Sequence, residues 1–436
     1  MADYQTAAAR ARTRKRRFKW TFINKLAKLQ VDLCLVNSLF IHILRKSTPC
    51  ASDASYEEGS NMKARKIIAM TTHNASGGAN EALARLCSGL IQRGHEVSLW
   101  YLYKKKDSNP PVAKFKYITT TDKPNLFTYL TIAFRFSILL LKHRPDALIS
   151  FLPLANVLGQ TTAWIYGIPV RIASQRNPVQ TYSKTMQMLD LYVGTCGSYT
   201  HNVVNSSDVL ASVSGYPWPY RFRTKVIYNG IDPLSLGDTD RSSTRRRFQI
   251  EDDETALVCV GRLTKQKNHA YIIQILASLK NFRLLIAGSG PELQRLRMEA
   301  SRMGVSRRVR FLGILSQPEM RSLLDAADVF VLTSLYEGQS NALLEAMSAG
   351  KAIVASDIPS NRETLIGDQT EAGFVLPITE PDRWTTTLAE LGGNVSKRRQ
   401  LGKMAKIRAR RFSLGEMCTG FERMIEASLS RSAGAR

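Results

Sequence analysis

Arg262 and Lys267 stand five positions apart in VGRLTKQKNH, directly after a stretch that reads as a strand. The carboxyl end of a strand in an open α/β sheet is where ligands bind. Two cations there suit a diphosphate, the arginine through paired contacts and the lysine as a point charge. Further along, SLYEGQSNALLEAMSAG runs from a strand through a short loop into a helix predicted to start near Ser340. Glu337 precedes that helix and Glu345 falls in its second turn. The unpaired amides of Gln339, Ser340, Asn341 and Ala342 would face a cleft at the positive end of the helix dipole, where an anion is favoured. An ionised carboxylate accepts two hydrogen bonds from a vicinal diol, so Glu337 and Glu345 suit sugar hydroxyls. Taken without context, the same residues also fit a surface loop and two helix-end acids. Earlier in the chain, Gly77 and Gly78 form either a plain turn or a place where backbone approaches phosphate. Asn156, in ALISFLPLANV, could hydrogen-bond a sugar or cap a buried strand end. Arg176 and Asn177, in SQRNP, follow a strand and are candidate acceptor contacts. His73 follows the first strand and can face the cleft, whereas His95, in RGHEV, reads as structural.

These residues need strands to place them. From residue 63 the pattern is strand, glycine turn, amphipathic helix, strand: RKIIAMTTH, NASGG, ANEALARLCSGLIQRG, HEVSLWYLY. Such units build a parallel sheet. A second alternation begins near residue 255, with strands at TALVCVG, FRLLIAG, VRFLG, DVFVLTS and AIVASD. It predicts a second, separate doubly wound sheet. The polar stretch 232–246 reads as the interdomain linker. The expected organisation is an extension over 1–62, a first domain over 63–232, a second over 233–415, and a helix and tail over 416–436. Residues 126–141 are apolar apart from Arg135 and a few hydroxyls. They form a helix too short to span a membrane, facing either the core or a lipid surface.

The 436 residues carry 61 Lys and Arg against 36 Asp and Glu, a net charge of +25. That balance calls for a polyanionic partner: phosphate esters, nucleic acid or an acidic membrane surface. A 44% apolar and 22% charged composition excludes disorder, collagen and disulfide scaffolds. Cys34, Cys50, Cys87, Cys196, Cys259 and Cys418 include no CxxC pair, which predicts reduced thiols and no structural zinc. The basic run from Arg10 to Lys19 continues into apolar residues at helical spacing from Phe22 to Leu44. This segment is not a secretory signal. It reads as an amphipathic segment lying on an anionic membrane, or as a solvated arm before a docking helix. No recognition-helix motif or aromatic single-strand platform is present, and Glu337 and Glu345 would repel a nucleic acid, so none is expected as a partner.

The run VGRLTKQKNH, IAGSGPELQRL, VRFLG and ADVFVLTSLYEGQSNALLEAMSAGKAIVASDIPSNRETL closely resembles the donor half of retaining GT-B glycosyltransferases of family 4. SGGANEALARLCSGLIQRGHEV and VIYNGID resemble that family's glycine loop and interdomain segment, so the likeness covers about residues 64–425. It implies two Rossmann-like domains facing across a cleft and a nucleoside diphosphate sugar as donor substrate, with no cofactor. Carried over by position, Arg262 and Lys267 would hold the diphosphate, Glu337 the transferred sugar and Glu345 the ribose diol. Gly261 flanks that site, and Gly338 with the amides after it would approach sugar and phosphate. Many relatives have a histidine where Phe151, Leu152 and Pro153 stand, so no catalytic histidine is assigned. No Asp-x-Asp motif faces the expected donor position, so no metal is expected. The implied activity is retaining transfer of a hexose to a lipid-linked or polysaccharide acceptor, at the cytoplasmic face of a membrane. A nucleotide-sugar epimerase or a phosphorylase of the same fold is the alternative. A basic nucleic-acid-binding protein is a more distant one.

Overall fold

The computed structural model describes residues 63–434, apart from 76, 106–113, 123, 233–240 and 368–370. The basic extension expected over 1–62 lies outside the described residues, as does the middle of the expected linker.

Residues with buried, β-branched runs form thirteen strands among the described residues. The first sheet takes β1 (Lys66–His73), β2 (Glu96–Tyr103), β3 (Phe115–Thr119), β4 (Ala147–Phe151), β5 (Val170–Gln175), β6 (His201–Val204) and β7 (Thr224–Val226). Its order is β3-β2-β1-β4-β5-β6-β7, all parallel. The second takes β8 (Thr255–Val260), β9 (Phe282–Ala287), β10 (Val309–Gly313), β11 (Val329–Leu332), β12 (Ala352–Ser356) and β13 (Phe374–Leu376). Its order, β10-β9-β8-β11-β12-β13, repeats that of the first sheet. Each sheet reverses direction of winding beside its first strand, at β1/β4 and at β8/β11. Those points are where a doubly wound sheet opens a crevice.

Helices cover both faces, because strands this apolar need burial on each side. Over the first sheet, α1 (Gly78–Gln92) buries Leu83, Leu86, Cys87 and Leu90 on one face. On the other face, α2 (Leu126–His143) buries Ile132, Phe136 and Leu140 beside α3 (Pro153–Ile165). In the second domain, α4 (Asn341–Ser348) follows β11 and is buried along most of its length. The last described helix, α5 (Leu414–Gly434), returns to the first domain. Met417, Cys418, Phe421 and Ile425 complete the core around α1. The pairing is tight: a Cβ on Gly89 would stand 2.5 Å from the Cys418 sulfur. His95 is buried where it meets Glu422 of α5 at 3.1 Å.

The chain therefore crosses between the domains twice, and the two crossings are bonded to each other. Ile231 N–H donates to the Phe412 carbonyl and the Leu414 N–H donates to the Ile231 carbonyl, each at 3.0 Å.

Candidate active site

A cavity of about 410 Å³ opens between the carboxyl ends of the two sheets. From the first domain it is lined by His73, Gly77, Gly78, Leu152, Arg176 and Asn177. From the second come Gly261, Arg262, Lys267, Glu337 and Glu345, with Gln339, Ser340, Asn341 and Ala342.

The second-domain wall follows from three local structures. After β8 the chain turns through Gly261 at a φ of 155° and passes close to Gly288, itself at 136° after β9. A Cβ on Gly288 would fall 2.0 Å from the Gly261 carbonyl oxygen, so only glycine lets the two strand ends come together. Lys267 closes a short 3-10 turn over Lys265–Lys267, whose carbonyl accepts from the Thr333 hydroxyl at 3.1 Å. Its ammonium reaches the Glu337 Oε1 at 2.5 Å, and the Ser334 hydroxyl donates to the same oxygen at 2.8 Å. Both bonds fall on Oε1, so Glu337 keeps Oε2 without a partner among the described residues. Arg262 is exposed at the cavity and has no side-chain hydrogen bond or ion pair among the described residues. Ser340 caps α4, its hydroxyl accepting from Leu343 N–H. The amides of Asn341 and Ala342, having no preceding turn to pair with, remain available to an anion.

Glu345 is 8% exposed and forms an ion pair with Arg85, which projects from α1 of the opposite domain. Burial pushes the Glu345 carboxyl above the usual range, and Arg85 opposes that shift. Arg85 was not singled out in the sequence, since it is 260 residues from its partner. Asn229, in VIYNGID, is a second residue that pattern reasoning did not isolate. Its side chain accepts from Arg176 Nη1 at 2.7 Å and donates to Asn341 Oδ1 at 2.9 Å, while its N–H donates to Gln339 Oε1 at 2.6 Å. Asn341 in turn donates to the Gly78 carbonyl at 2.8 Å. The glycine turn and the helix start are thus joined directly across the cleft.

Two expected placements need correction. Asn156 does not face the cavity: fully buried, it accepts from the Ser150 hydroxyl and donates to the Ser174 carbonyl, knitting β4 to β5. Gly338 does not line it either, and its missing side chain serves another contact. A Cβ there would lie 2.1 Å from the Arg176 carbonyl oxygen in the opposite domain. Arg176 lines the cavity, but its guanidinium stacks on Phe151 at 3.6 Å and is 95% withdrawn from solvent, which pulls its pKa down to about 9. His73 lies at the wall with its pKa lowered to about 4 by burial, then by Lys105 and Arg262.

Two family models match the chain: "Glycosyltransferase Family 4" over residues 76–233 and "Glycosyl transferases group 1" over 240–408. A putative glycosyltransferase EpsF of Bacillus subtilis is 24% identical over 343 residues, 71% of this chain and 88% of that protein. A Campylobacter jejuni N-acetylgalactosamine-N,N'-diacetylbacillosaminyl-diphospho-undecaprenol 4-alpha-N-acetylgalactosaminyltransferase is 27% identical over 191 residues, 44% of this chain and 50% of that one. The chain spans between 37% and 54% of the length of other curated relatives that it matches. Among solved structures, Anabaena HepE in complex with UDP and glucose superposes with a TM-score of 0.72 at 18% identity, covering 83% of this chain and 100% of that one. With matched sheets, a glycine-lined strand end and the paired glutamates about one interdomain cavity, the chain belongs to the group 1, family 4 glycosyltransferases and has their GT-B fold.

Proposed function

We propose that this chain transfers a hexose or N-acetylhexosamine from a nucleoside diphosphate sugar to a lipid-linked or polysaccharide acceptor, with retention of anomeric configuration. The observation that carries this reading is the convergence of Arg262, Lys267, Glu337, Glu345 and the start of α4 on one interdomain cavity. Arg262 and Lys267 hold the diphosphate together with the α4 amides, Glu345 takes the ribose diol and Glu337 orients the transferred sugar. As the bond from the anomeric carbon to the β-phosphate oxygen breaks, negative charge grows on the leaving diphosphate. The fixed cations and helix terminus stabilise it without reorganising. The acceptor hydroxyl forms the new bond to the anomeric carbon from the face that the diphosphate leaves. Its proton passes to the departing phosphate oxygen, so charge and atoms balance. Glu337 is held by Lys267 and Ser334 at Oε1, which suits a positioning carboxylate rather than an attacking one.

Two features support an acceptor at a lipid surface: the basic charge of +25 and the diphospho-undecaprenol substrate in the name of the Campylobacter relative. We place the enzyme peripherally on the cytoplasmic face of an anionic membrane. Among the described residues no helix is long and apolar enough to cross one. No three His, Cys, Asp or Glu side chains cluster as metal ligands among the described residues, and the reading takes charge neutralisation to come from the cations alone.

A screen of nucleotide sugars with purified enzyme tests it, following donor hydrolysis and product stereochemistry by proton NMR. Full activity in excess EDTA and a product of unchanged anomeric configuration are expected. Activity abolished by EDTA and restored by manganese, or an inverted product, overturns the mechanism.

A further inference from the structure

The outer face of α2 is left without a protein partner among the described residues. Phe127, Leu130, Phe134, Ile138 and Leu141 are 77%, 53%, 68%, 51% and 51% exposed. Their spacings of three, four, four and three residues keep them in one stripe. At 1.5 Å rise per residue the stripe runs roughly 20 Å along the helix. The opposite face is already committed, since Ile132, Phe136 and Leu140 are fully buried against the sheet. An extra apolar stripe of this length on a helix that already has its core face is what marks an interaction surface.

The charges around the stripe choose the partner. The helix contains no Asp or Glu; its exposed ions are Arg135 and Lys142, and its last turn adds His143. A partner helix is normally met by flanking charges of both signs, and the helix itself carries only one. The basic run at Arg10–Lys19 would meet like charge here. Anionic headgroups above an acyl layer complement both the cations and the stripe. The helix is also prepared to leave water. Asn125 and Thr128 form a reciprocal cap at its start, and the Thr131 and Ser137 hydroxyls donate to the Phe127 and Ala133 carbonyls of the same helix.

We propose that α2 lies in the plane of an anionic bilayer surface, with the Phe127–Leu141 stripe in the headgroup and acyl boundary and Arg135 and Lys142 on the phosphates. This rests on the membrane placement proposed above and assigns it to a surface of the first domain. The acceptor domain would thereby be held at the layer that contains a lipid-linked substrate.

Sedimentation of the full chain with phosphatidylcholine vesicles containing about a third phosphatidylglycerol tests the assignment. The triple variant Phe127→Ser, Phe134→Ser, Ile138→Ser should partition about tenfold or more less strongly, with donor hydrolysis in solution unchanged. Because the altered side chains are solvent-exposed, unchanged hydrolysis also certifies folding. Lys142→Glu should weaken binding to the anionic vesicles and not to pure phosphatidylcholine. Vesicle binding retained by the triple variant overturns the proposal, as does a wild-type chain that fails to pellet. A shift from dimer to monomer in the triple variant assigns the stripe to self-association and likewise overturns it. Loss of donor hydrolysis in every variant and in the wild type would sink the transferase reading while leaving the vesicle result intact.

Discussion

In the proposed reading Glu345 has two partners. In the cavity as it stands, Arg85 holds its Oε1, and a ribose diol bridging both carboxylate oxygens would have to loosen that ion pair. Removing Arg85 leaves a carboxylate whose pKa burial, and then the neighbouring Glu81, raise unopposed. A raised acid favours its neutral form in the folded state, so its stabilising share is lost as pH climbs through the carboxylate range. Arg85→Met is therefore expected to lower the thermal midpoint more at about pH 8 than at about pH 5, with a loss of about 3 kcal/mol at the higher pH. Melting curves at the two pH values check this, and an equal loss at both would show that charge is not the issue. Glu345→Ala and Arg262→Ala should each weaken donor binding or turnover tenfold or more, about 1.4 kcal/mol, by calorimetry with the nucleotide sugar. Arg262→Lys should recover only part, because the paired fork is gone. The histidines carry the opposite sign. Burial lowers His201 to about 4, so the unfolded chain takes up a proton below about pH 6.5 that the folded chain refuses. Stability attributable to His201 is lost as pH falls from there, and His201→Gln should flatten that part of the melting profile.

Helix starts and strand ends carry the contacts that close the cleft, and two glycines show how little room they leave. Gly338→Ala would drive a methyl group into the Arg176 carbonyl at 2.1 Å, across the domain boundary. The expected result is weakened donor binding with each domain still folded, read by calorimetry alongside limited proteolysis. Gly288→Ala adds a 2.0 Å clash with Gly261 inside one domain at a φ of 136°, and should cost stability itself, about 2–4 kcal/mol by denaturant titration. The alternation of apolar strands and amphipathic helices was readable because each element repeats its own short period. The positions of Arg262, Lys267, Glu337 and Glu345 were readable beside strand ends and a helix start that the same pattern locates, while their assignment to a site came from the family resemblance. Arg85 and Asn229 were not, since each acts on a residue more than a hundred positions away and nothing local marks it. In sequence Asn156 could contact a sugar or cap a buried strand end, and the structure takes the second. One turn into α3, its side chain points back beneath the strand ends. The apolar stretch 126–141 fitted core and surface equally in sequence, and it is both: one face is buried and the other bare.

At the scale of the whole molecule, the two domains share two adjacent crossings, and a Cβ on Gly230 would lie 2.6 Å from Leu414 Cα at that junction. Gly230→Val should therefore stiffen or displace the junction and slow closure on the donor, seen as a fall in turnover larger than any change in donor affinity. The domains are joined across the cleft by the Arg85–Glu345 pair, the Asn229 node and the Asn341 bond to Gly78, and away from the cavity by Ser207 and Tyr228 on Glu363. The first three involve residues at the cavity, so a substrate entering there meets the same bonds. The second crossing also sets a schedule for biogenesis. Leu83, Leu86 and Leu90 of α1 share one core with the sheet on one side and with Met417, Cys418 and Phe421 of α5, so that core is incomplete until α5 arrives. On the ribosome every strand of the first sheet emerges before α5 is made, so that sheet waits with one flank uncovered while the second domain is synthesised and can fold. The half made first is the half finished last, and its waiting flank is where a nascent-chain chaperone would be needed.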